Sequence, residues 1–426
     1  MWQTVYQTAW RIAPPLLRRY LRRRARQNPA YAEHWGERFG EPYPNPVRGA
    51  LWIHAVSVGE TRAAQPLITA LKQHFPDTPL LLTQMTPTGR ATAQALFPEA
   101  QCRYLPYDRR DWVQTFLREH QPRAGILMET EIWPNLMHAC REASVPLFLA
   151  NARLSARSER GYLRVRGLTA PALATLSGCF AQTADDAQRL QHIGAQAVQV
   201  CGNTKYDVSL PPDADDKAAQ LRALVGKRPI WLAASTREYH GNDEAEQILR
   251  AWQDYRGNAL LLIVPRHPER FQAACDTAAA LGLRVQRRSS NEAVRPDTQV
   301  WVGDSMGEMA AYCRAADSVF VGGSLVDSGC QNIIEPMAAE RAVLFGPSTY
   351  NFQAACAGAL AAGAAVQIRS AAELIAQWTR WQAEPQQQQA VAARGAAFVA
   401  QHRGAAEKMA QAVAEVLSAD SSSSKL

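Results

Sequence analysis

The feature that most constrains the fold is an alternation of short apolar runs with longer alanine-rich segments, which occurs twice along the chain. In the first half, the apolar runs are LWIHAV, PLLLTQM, AGILME, PLFLAN and GCFAQT. The alternation begins again at Pro229, with PIWLAAST, ALLLIVPRH, LRVQRR, TQVWVGD, SVFVGGS and AVLFGP. Strands that alternate with helices predict a parallel sheet covered by helices on both faces. We therefore predict two α/β domains, each built on such a sheet.

A change of composition marks the expected domain boundary. Pro211 and Pro212 stand among acidic residues in SLPPDADDKAAQ, and the 426 residues suffice for two domains. We predict a basic N-terminal segment 1–40, an N-terminal α/β domain 41–210, a C-terminal α/β domain 211–418 and a disordered tail 419–426. Ligands of open α/β sheets bind beyond the carboxyl ends of the strands. Two sheets that face a central cleft would therefore place the site in that cleft.

Composition excludes several classes of protein. Hydrophobic residues make up 47% and charged residues 20% of the chain, which is typical of a soluble globular protein. No run of about 18 apolar residues is present, so the sequence gives no clear membrane-spanning helix. The eight cysteines are scattered, without a CxxC pair or a zinc-like cluster. We expect free, mostly buried thiols in a reducing compartment and no structural metal.

The formal charge of +7 lies almost entirely in residues 1–40, where eight arginines face only Glu33 and Glu37. The same segment contains apolar side chains and is interrupted by Pro14-Pro15; the apolar residues are Trp2, Tyr6, Trp10, Ile12, Leu16 and Leu17. Aromatic residues at a membrane interface and arginines on anionic headgroups predict a membrane-surface anchor. The alternative is a solvated basic helix that packs on its own domain. Because the charge is confined to this segment, we expect no nucleic-acid partner.

Polar residues follow the predicted strands of the first domain. Neither GxGxxG after the first strand nor GxxxxGK[ST] occurs, so the usual signatures of dinucleotide and P-loop proteins are absent. Glu60 follows Gly59 where a strand gives way to a helix, and it is either a functional carboxylate or one that only complements the helix dipole. In METEIWPNL, Glu129 and Glu131 point the same way if the segment is extended, but only one faces the cleft if the chain turns; either could instead cap the next helix. Lys205 projects into the cleft or is solvated.

The second domain carries a candidate phosphate site in VGGSLVDSGCQNIIEP. A glycine-rich turn that opens a helix would offer free backbone N–H groups to an anion, and Glu335 would accept hydrogen bonds from ribose hydroxyls. The alternative is a tight turn capping an ordinary helix. Arg266 and His267 end a strand of the same domain, which favours the phosphate site.

These strings together resemble one family. HAVSVGE, TQMTPTG, METEIWPNL, NARLSARS, VPRHPER, GDSMGEM and GGSLV…N…EP stand in the order and spacing of the 3-deoxy-D-manno-octulosonic acid (Kdo) transferases of lipopolysaccharide biosynthesis. The resemblance covers essentially the whole chain, including the basic N-terminal segment. It implies an inverting glycosyltransferase of the GT-B type, which moves Kdo from CMP-Kdo to a lipid A precursor (lipid IVA) at the cytoplasmic face of the inner membrane. The N-terminal domain would bind the acceptor and the C-terminal domain the donor.

The resemblance also implies residue roles. Glu60 matches the general base, and a helix N-terminus is expected to hold its carboxylate ionised, with Gly59 allowing a tight turn and leaving room for the lipid. Glu129 and Lys205 match residues credited with transition-state stabilisation. The CMP-binding segments match Arg266, His267, Gly307, Glu308, Met309, Asn332, Ile333, Ile334 and Glu335. No metal or other cofactor is expected, because the donor has a single phosphodiester.

One position departs from the family. Where a Gly-Gly-His-Asn run is common, this chain has Ser328-Gly329-Cys330-Gln331-Asn332, so that Gln331 replaces the histidine. Glutamine offers a donor and an acceptor but carries no charge. Two rival functions remain: a GT-B enzyme that uses a UDP-sugar, and a non-catalytic peripheral membrane protein that binds lipid headgroups through its arginines.

Overall fold

A computed structural model describes residues 2–208 and 210–423, and the chain divides into two compact units. The first unit comprises Met1–Asp207 and Arg403–Leu426, and the second comprises Val208–His402.

The first unit is built on a seven-stranded parallel sheet. Its strands are β1 Leu51–His54, β2 Leu80–Gln84, β3 Gln101–Tyr104, β4 Ala124–Met128, β5 Leu147–Ala152, β6 Gly178–Ala181 and β7 Val198–Val200. Their order in the sheet is β3-β2-β1-β4-β5-β6-β7, and every pairing is parallel. The strand order reverses between β1 and β4, and ligands of doubly wound sheets bind at such a point.

Helices cover both faces of this sheet. They are α1 Trp2–Ala25, α2 Trp35–Arg38, α3 Val58–His74, α4 Pro87–Leu96, α5 Arg110–His120, α6 Pro134–Glu142, α7 Ala156–Arg164, α8 Arg166–Leu173 and α9 Ala184–His192. Alternate residues of β1 enter opposite cores, because successive side chains of a strand point to opposite faces: Trp52 joins one cluster, and Leu51 and Ile53 join the other. Trp52 lies beside Gly125 of β4, where a Cβ atom would come within 2.6 Å of its ring. The glycine therefore allows the close contact between the two strands at the reversal point.

The second unit repeats the architecture. Its strands are β8 Ile230–Thr236, β9 Glu238–Tyr239, β10 Asn242–Asp243, β11 Leu260–Pro265, β12 Val285–Arg287, β13 Val300–Val302, β14 Ser318–Val321, β15 Ala342–Phe345 and β16 Ala365–Gln367. β9 and β10 form a small hairpin, and the others form a parallel sheet in the order β12-β13-β11-β8-β14-β15-β16. Its helices are α10 Ala214–Val225, α11 Glu244–Trp252, α12 Phe271–Ala280, α13 Met309–Ala315, α14 Ile334–Ala338, α15 Gln353–Ala361, α16 Ala371–Ala383 and α17 Pro385–His402. The prediction of two parallel-sheet α/β domains is thus confirmed.

The C-terminal helix corrects two predictions. α18 Ala405–Ser423 belongs to the first unit, not to the domain predicted over 211–418. Its apolar residues, including Met409 and Val413, enter the same core as α3, and Asp207 accepts hydrogen bonds from its first turn. Because the helix continues to Ser423, residues 419–423 are helical rather than disordered, and 424–426 lie outside the described residues.

Helix α1 forms most of the basic N-terminal segment, and its attachment to a membrane stays a prediction. It runs through Pro14 and Pro15 without a break, and part of its apolar set contacts the domain. Tyr6 donates a hydrogen bond to Asp108 at 2.7 Å, Trp10 lies 6.5 Å from the ring of Tyr107, and Leu17 packs near the buried Leu21. The exposed large apolar side chains of α1 are Trp2, Val5, Ile12, Leu16 and Tyr20. None of the described helices combines the length and apolar character needed to cross a bilayer.

Candidate functional site

The polar clusters predicted from the sequence lie where strands end at the reversal point of the first sheet. The loop after β1 leads into α3, whose first turn contains Glu60. Glu129 directly follows β4, the neighbour of β1. The two carboxylates therefore share the carboxyl edge of the sheet, where a ligand of this fold class binds.

Glu60 is held by its own loop. One carboxylate oxygen accepts a hydrogen bond from the backbone N–H of Val56 at 2.8 Å, and the other accepts one from the Ser57 hydroxyl at 3.0 Å. Thr86 of the TQMTPTG motif donates to the carbonyl of Val56 at 3.3 Å, and Gly89 lets α4 approach the backbone of Ser57. Two sequence motifs thus fix the orientation of one carboxylate.

The electrostatics of Glu60 correct the sequence prediction. Its pKa is raised to about 7, chiefly by burial; the charges of Glu129 and Glu131 contribute to the rise, and the hydrogen bonds from Val56 and Ser57 oppose it. The helix N-terminus therefore does not hold this carboxylate fully ionised, because loss of hydration outweighs the local N–H groups. Gly59 is an ordinary helical residue without a left-handed turn, but a Cβ there would meet only the Ser57 hydroxyl at 3.9 Å. The space beside the exposed Gly59 backbone is therefore open.

Glu129 and Glu131 both belong to this site. Glu129 has a positive φ of 59°, so the chain turns there, and strained backbone of this kind clusters at functional sites. Its carboxylate accepts a hydrogen bond from Arg153 at 3.1 Å. Glu131 accepts one from the indole N–H of Trp133 at 2.6 Å, and burial raises its pKa. Neither glutamate caps α6, whose N-cap is Trp133 without a side-chain hydrogen bond.

Lys205 completes the cluster. It lies in a short 3-10 helix, Thr204–Asp207, and burial lowers the pKa of its ammonium group, while the charges of Glu129 and Glu60 oppose that change. The structure therefore brings Glu60, Glu129 and Lys205 within electrostatic range of one another, although they are far apart in the sequence.

A network of amides positions the turn that carries Lys205. The buried Asn151 accepts a hydrogen bond from the backbone N–H of Thr204 at 3.1 Å, and its carbonyl accepts one from Gln182 at 2.8 Å. Gln182 in turn accepts a hydrogen bond from Asn203 at 2.9 Å, and Asn203 accepts one from the backbone N–H of Lys205 at 2.9 Å. Sequence reasoning missed Gln182. Its position could have indicated a role at the site, because Gln182 directly follows β6 just as Glu129 directly follows β4.

His54 is a further polar residue of the HAVSVGE motif. Its Nδ1 lies 2.9 Å from the Thr83 hydroxyl and 3.1 Å from the Thr83 carbonyl. Burial lowers its pKa to about 3, so the ring is neutral at physiological pH. This histidine is therefore a structural member of β1 and β2, and Glu60 is left as the titratable group of its motif.

The glycine-rich turn of the second unit is organised differently from the prediction. No helix opens at Gly323; the turn continues to Ser328, and the five-residue α14 begins at Ile334. The backbone N–H groups of Gly323, Ser324 and Leu325 donate to the carboxylate of Glu244 at 2.6, 3.1 and 2.8 Å. An internal carboxylate thus occupies the anion-binding nest that the sequence assigned to a phosphate.

Glu244 is an unusual anion. It is fully buried, and the N–H of Arg237 is a fourth donor at 3.2 Å. Burial raises its pKa to about 7, although all four N–H groups favour the charged form. Gln331 follows the same turn. Its backbone N–H donates a hydrogen bond to the carbonyl of Gly322 at 3.0 Å, and its side-chain amide donates one to the carbonyl of Gly329 at 3.2 Å. The residue that replaces the family histidine therefore braces the turn.

The predicted donor residues stand in three places on the second unit. Arg266 and His267 directly follow β11 and are exposed. Gly307 has a φ of 79° with open space around it, and Glu308 forms an ion pair with Arg288 at 3.3 Å.

The prediction for the third set of donor residues, Asn332 to Glu335, needs a correction. Asn332 accepts the backbone N–H of Ile334 at 3.0 Å, and Glu335 stands in the first turn of α14. The side chains of Ile333 and Ile334 are buried in the core, so a ligand can reach only their backbone. Met309, the first residue of α13, is half-buried.

Two observations concern metals and thiols. Among residues 2–208 and 210–423, no group of three histidine, cysteine, aspartate or glutamate side chains is arranged to hold a metal ion. All eight cysteines are free and buried, as predicted.

Known proteins share this architecture. The crystal structure of UDP-GlcNAc 2-epimerase from Neisseria meningitidis bound to UDP-GlcNAc matches with a TM-score of 0.58 at 15% identity, over 86% of this chain and 99% of that one. This likeness concerns the fold alone. Two Rossmann-like α/β domains of this kind define the GT-B class, so the predicted fold class is confirmed.

Sequence similarity narrows the class to a family. A model of the family described as 3-Deoxy-D-manno-octulosonic-acid transferase (kdotransferase) matches residues 33–208. The chain is 41% identical to the 3-deoxy-D-manno-octulosonic acid transferase of Bordetella pertussis over 88% of this chain and 89% of that protein. It is 39% identical to the Haemophilus influenzae protein of the same name over 71% of each chain. The chain belongs to the Kdo transferase family and is a glycosyltransferase.

Proposed function

We propose that this protein transfers Kdo from CMP-Kdo to a hydroxyl group of a lipid A precursor, lipid IVA, with inversion at the anomeric carbon. The observation that carries the proposal is the Glu60 carboxylate, held by Val56 and Ser57 at the carboxyl edge of the first sheet and with a pKa of about 7. A general base works best when its pKa lies near the operating pH. Such a group is ionised in part at neutrality and still basic enough to accept a proton.

The proposed step is a single displacement. The acceptor oxygen forms a bond to the anomeric carbon of Kdo while the bond from that carbon to the CMP phosphate oxygen breaks. The acceptor proton passes to Glu60, and CMP leaves as the phosphate monoester anion. Attack from the face opposite the leaving group inverts the configuration, which requires the base to hold the acceptor on that face.

Lys205 and Glu129 suit the charges that develop in this step. Kdo carries a carboxylate and CMP departs with negative charge, and the ammonium group of Lys205 would stabilise either anion. Glu129, oriented by Arg153, would stabilise positive charge at the anomeric carbon. The lowered pKa of Lys205 reflects a partly dehydrated ammonium group, which interacts more strongly with an anion than a solvated one does.

We propose that the donor binds to the second unit through Arg266, His267, Gly307 to Met309 and Asn332 to Glu335. Because Glu244 occupies the glycine-rich turn, we assign the CMP phosphate to the exposed side chains of Arg266 and His267. A single phosphodiester can be bound by such groups without a bridging metal ion, so the proposal includes no metal or other cofactor.

We also propose that α1 attaches the enzyme to the cytoplasmic face of the inner membrane. On a helix of 3.6 residues per turn, the exposed Trp2, Val5, Ile12, Leu16 and Tyr20 fall within an arc of about 80°. Most of the arginines of α1 lie on one side of this arc, with Arg23 within it, and they would contact anionic headgroups, at about 1 kcal/mol each. Sedimentation with anionic vesicles tests this proposal: Ile12→Ser/Leu16→Ser should weaken binding, whereas Val200→Ser/Leu360→Ser, which changes exposed residues elsewhere, should not. Equal binding by both variants would refute it.

Product analysis tests the activity. The wild-type protein and Glu60→Gln are incubated with CMP-Kdo, generated in situ, and a tetraacylated lipid A precursor, and the product is read by mass spectrometry. We expect product from the wild type and almost none from Glu60→Gln, while both proteins still bind CMP. Product from neither protein, together with binding of UDP rather than CMP, would instead support the UDP-sugar alternative. A non-catalytic lipid-binding protein would bind vesicles but give no product with either donor.

A further inference from the structure

Helix α7 has a basic side that nothing in the reaction described so far uses. It buries no residue completely, and Arg157, Arg160 and Arg164 are all exposed. Residues three and four apart lie on the same side of a helix, so the three guanidinium groups form one surface, here called the α7 arginine face. Gly161 adjoins this face, and a Cβ there would have no atom within 4 Å. The surface is therefore open to a large ligand.

The charges of this face are not balanced locally. None of its three arginines makes a hydrogen bond or ion pair with another described residue. Neighbouring arginines differ: Arg153 pairs with Glu129, and Arg189 pairs with Asp185. Like charges at these spacings destabilise a helix, and Arg157 also faces the positive end of the helix dipole. An arrangement that costs stability is explained if an anion binds there.

The side of α7 opposite to the face packs on the first unit near the catalytic cluster. Tyr162 and Leu163 pack against the core of the first unit, and Tyr162 lies near enough to Glu131 for that carboxylate to raise its pKa. Glu131 in turn acts on Glu60. At its other end, α7 leads into α8, where Gly167 contacts Trp2 of α1. Arg153, three residues before α7 begins, pairs with Glu129 of the cluster. The face therefore belongs to a helix that starts next to the catalytic cluster and is followed by the helix that contacts α1.

We propose that the α7 arginine face binds the phosphate groups of the acceptor and holds its sugar hydroxyl at Glu60. This inference rests on the proposed function, because it takes the acceptor to be a lipid A precursor, which is a phosphorylated and acylated disaccharide. Arginine suits this role because its planar guanidinium group binds phosphate through two parallel hydrogen bonds. The face is assigned to the acceptor and not to bulk phospholipid, because α7 begins three residues after Arg153, which pairs with Glu129 beside the proposed base.

The test compares two triple variants with equal loss of charge. Arg157→Gln/Arg160→Gln/Arg164→Gln removes the face, and Arg48→Gln/Arg118→Gln/Arg123→Gln removes three arginines at the opposite edge of the same sheet, near the amino ends of β1 and β4. Transfer is measured in detergent with the acceptor and with the same acceptor after removal of its phosphates. The face variant should raise KM for the phosphorylated acceptor at least tenfold, with kcat within twofold of wild type. KM for the dephosphorylated acceptor should be unchanged.

Three outcomes overturn the inference. Equal KM values for the two triple variants would show that the face does not bind the acceptor. Weaker binding of the face variant to phosphatidylglycerol vesicles, with unchanged KM in detergent, would assign the face to bulk lipid. Absence of product from the wild type with either acceptor would overturn the proposed function and this inference together. Misfolding is checked by the thermal midpoint, which should not fall in the face variant because the substitution removes like-charge repulsion.

Discussion

The pH dependence of transfer is the sharpest test of the role of Glu60. With a pKa of about 7, roughly a tenth of Glu60 is ionised at pH 6 and roughly nine tenths at pH 8. We therefore expect kcat/KM to rise about tenfold between these pH values. A glutamate with an ordinary pKa would be ionised throughout this range and would give a flat profile. The assay is the initial rate of CMP release at donor and acceptor concentrations below KM, in buffers of constant ionic strength.

Substitution of the neighbouring Glu131 shows whether Glu60 causes the pH dependence of kcat/KM. Because the charge of Glu131 raises the pKa of Glu60, Glu131→Gln should move the acidic limb to lower pH. Glu60→Gln should remove the limb with most of the activity. A flat profile of the wild type between pH 6 and pH 8, or a limb that Glu131→Gln leaves in place, would refute the assignment of the limb to Glu60.

The raised pKa of Glu60 should also make the free energy of unfolding depend on pH. The folded protein binds the proton of Glu60 more tightly than the unfolded chain does, so this group favours folding most below about pH 4.5, and the contribution is lost as pH rises to about 7. Relative to Glu60→Gln, the wild type should lose on the order of 2–3 kcal/mol of unfolding free energy over that interval. Chemical denaturation at pH 5 and pH 8 measures the difference, and an unchanged difference would contradict the raised pKa.

Three further expectations follow from other contacts. Lys205→Met should lower kcat at least a hundredfold while Lys205→Arg keeps part of the activity, because the role of Lys205 is a positive charge; equal loss in both would exclude a purely electrostatic role. Glu244→Gln should destabilise the second unit by about 1–3 kcal/mol, since an amide cannot satisfy all four N–H groups, and an unchanged thermal midpoint would refute this. Tyr6→Phe removes the 2.7 Å hydrogen bond to Asp108 and should speed limited proteolysis of α1, with Tyr20→Phe as the control.

The sequence predicted most of the sheet because buried parallel strands are nearly continuous apolar runs. β1, β2, β4 and β6 lie within runs identified in the first domain, and β5 extends one residue beyond its run. In the two seven-stranded sheets, the strands that were not predicted are β3, β7 and β16, which lie at the sheet edges and are only partly buried; the two-residue strands β9 and β10 of the hairpin were not predicted either. A half-buried strand of three or four residues leaves too weak a pattern to separate it from a loop.

The candidate site was predicted through its motifs, but its energetics were not. Glu60, Glu129 and Lys205 could be chosen as ends of apolar runs, yet whether their pKa values rise or fall depends on burial by residues distant in the sequence. A local rule predicted an ionised Glu60 from the helix N-terminus, whereas the structure buries the group beside Glu129 and Glu131. Dehydration and like charges outweighed the local N–H groups, and no pattern within ten residues of Glu60 contains that information.

The glycine-rich turn also depends on a residue distant in the sequence, and this has a larger consequence for the donor site. Convergent N–H groups after a strand predict an anion, and an anion is present, but it is the carboxylate of Glu244, 79 residues away from Gly323 in the sequence. A phosphate cannot use those N–H groups unless Glu244 is displaced, so the donor must be bound by other groups, and Arg266 and His267 are the exposed candidates. If Glu244→Gln binds CMP as tightly as the wild type while Arg266→Gln does not, the turn is a brace for the site and the arginine is its phosphate ligand. If the order is reversed, the carboxylate shapes the phosphate site itself, and its assignment to Arg266 and His267 is wrong.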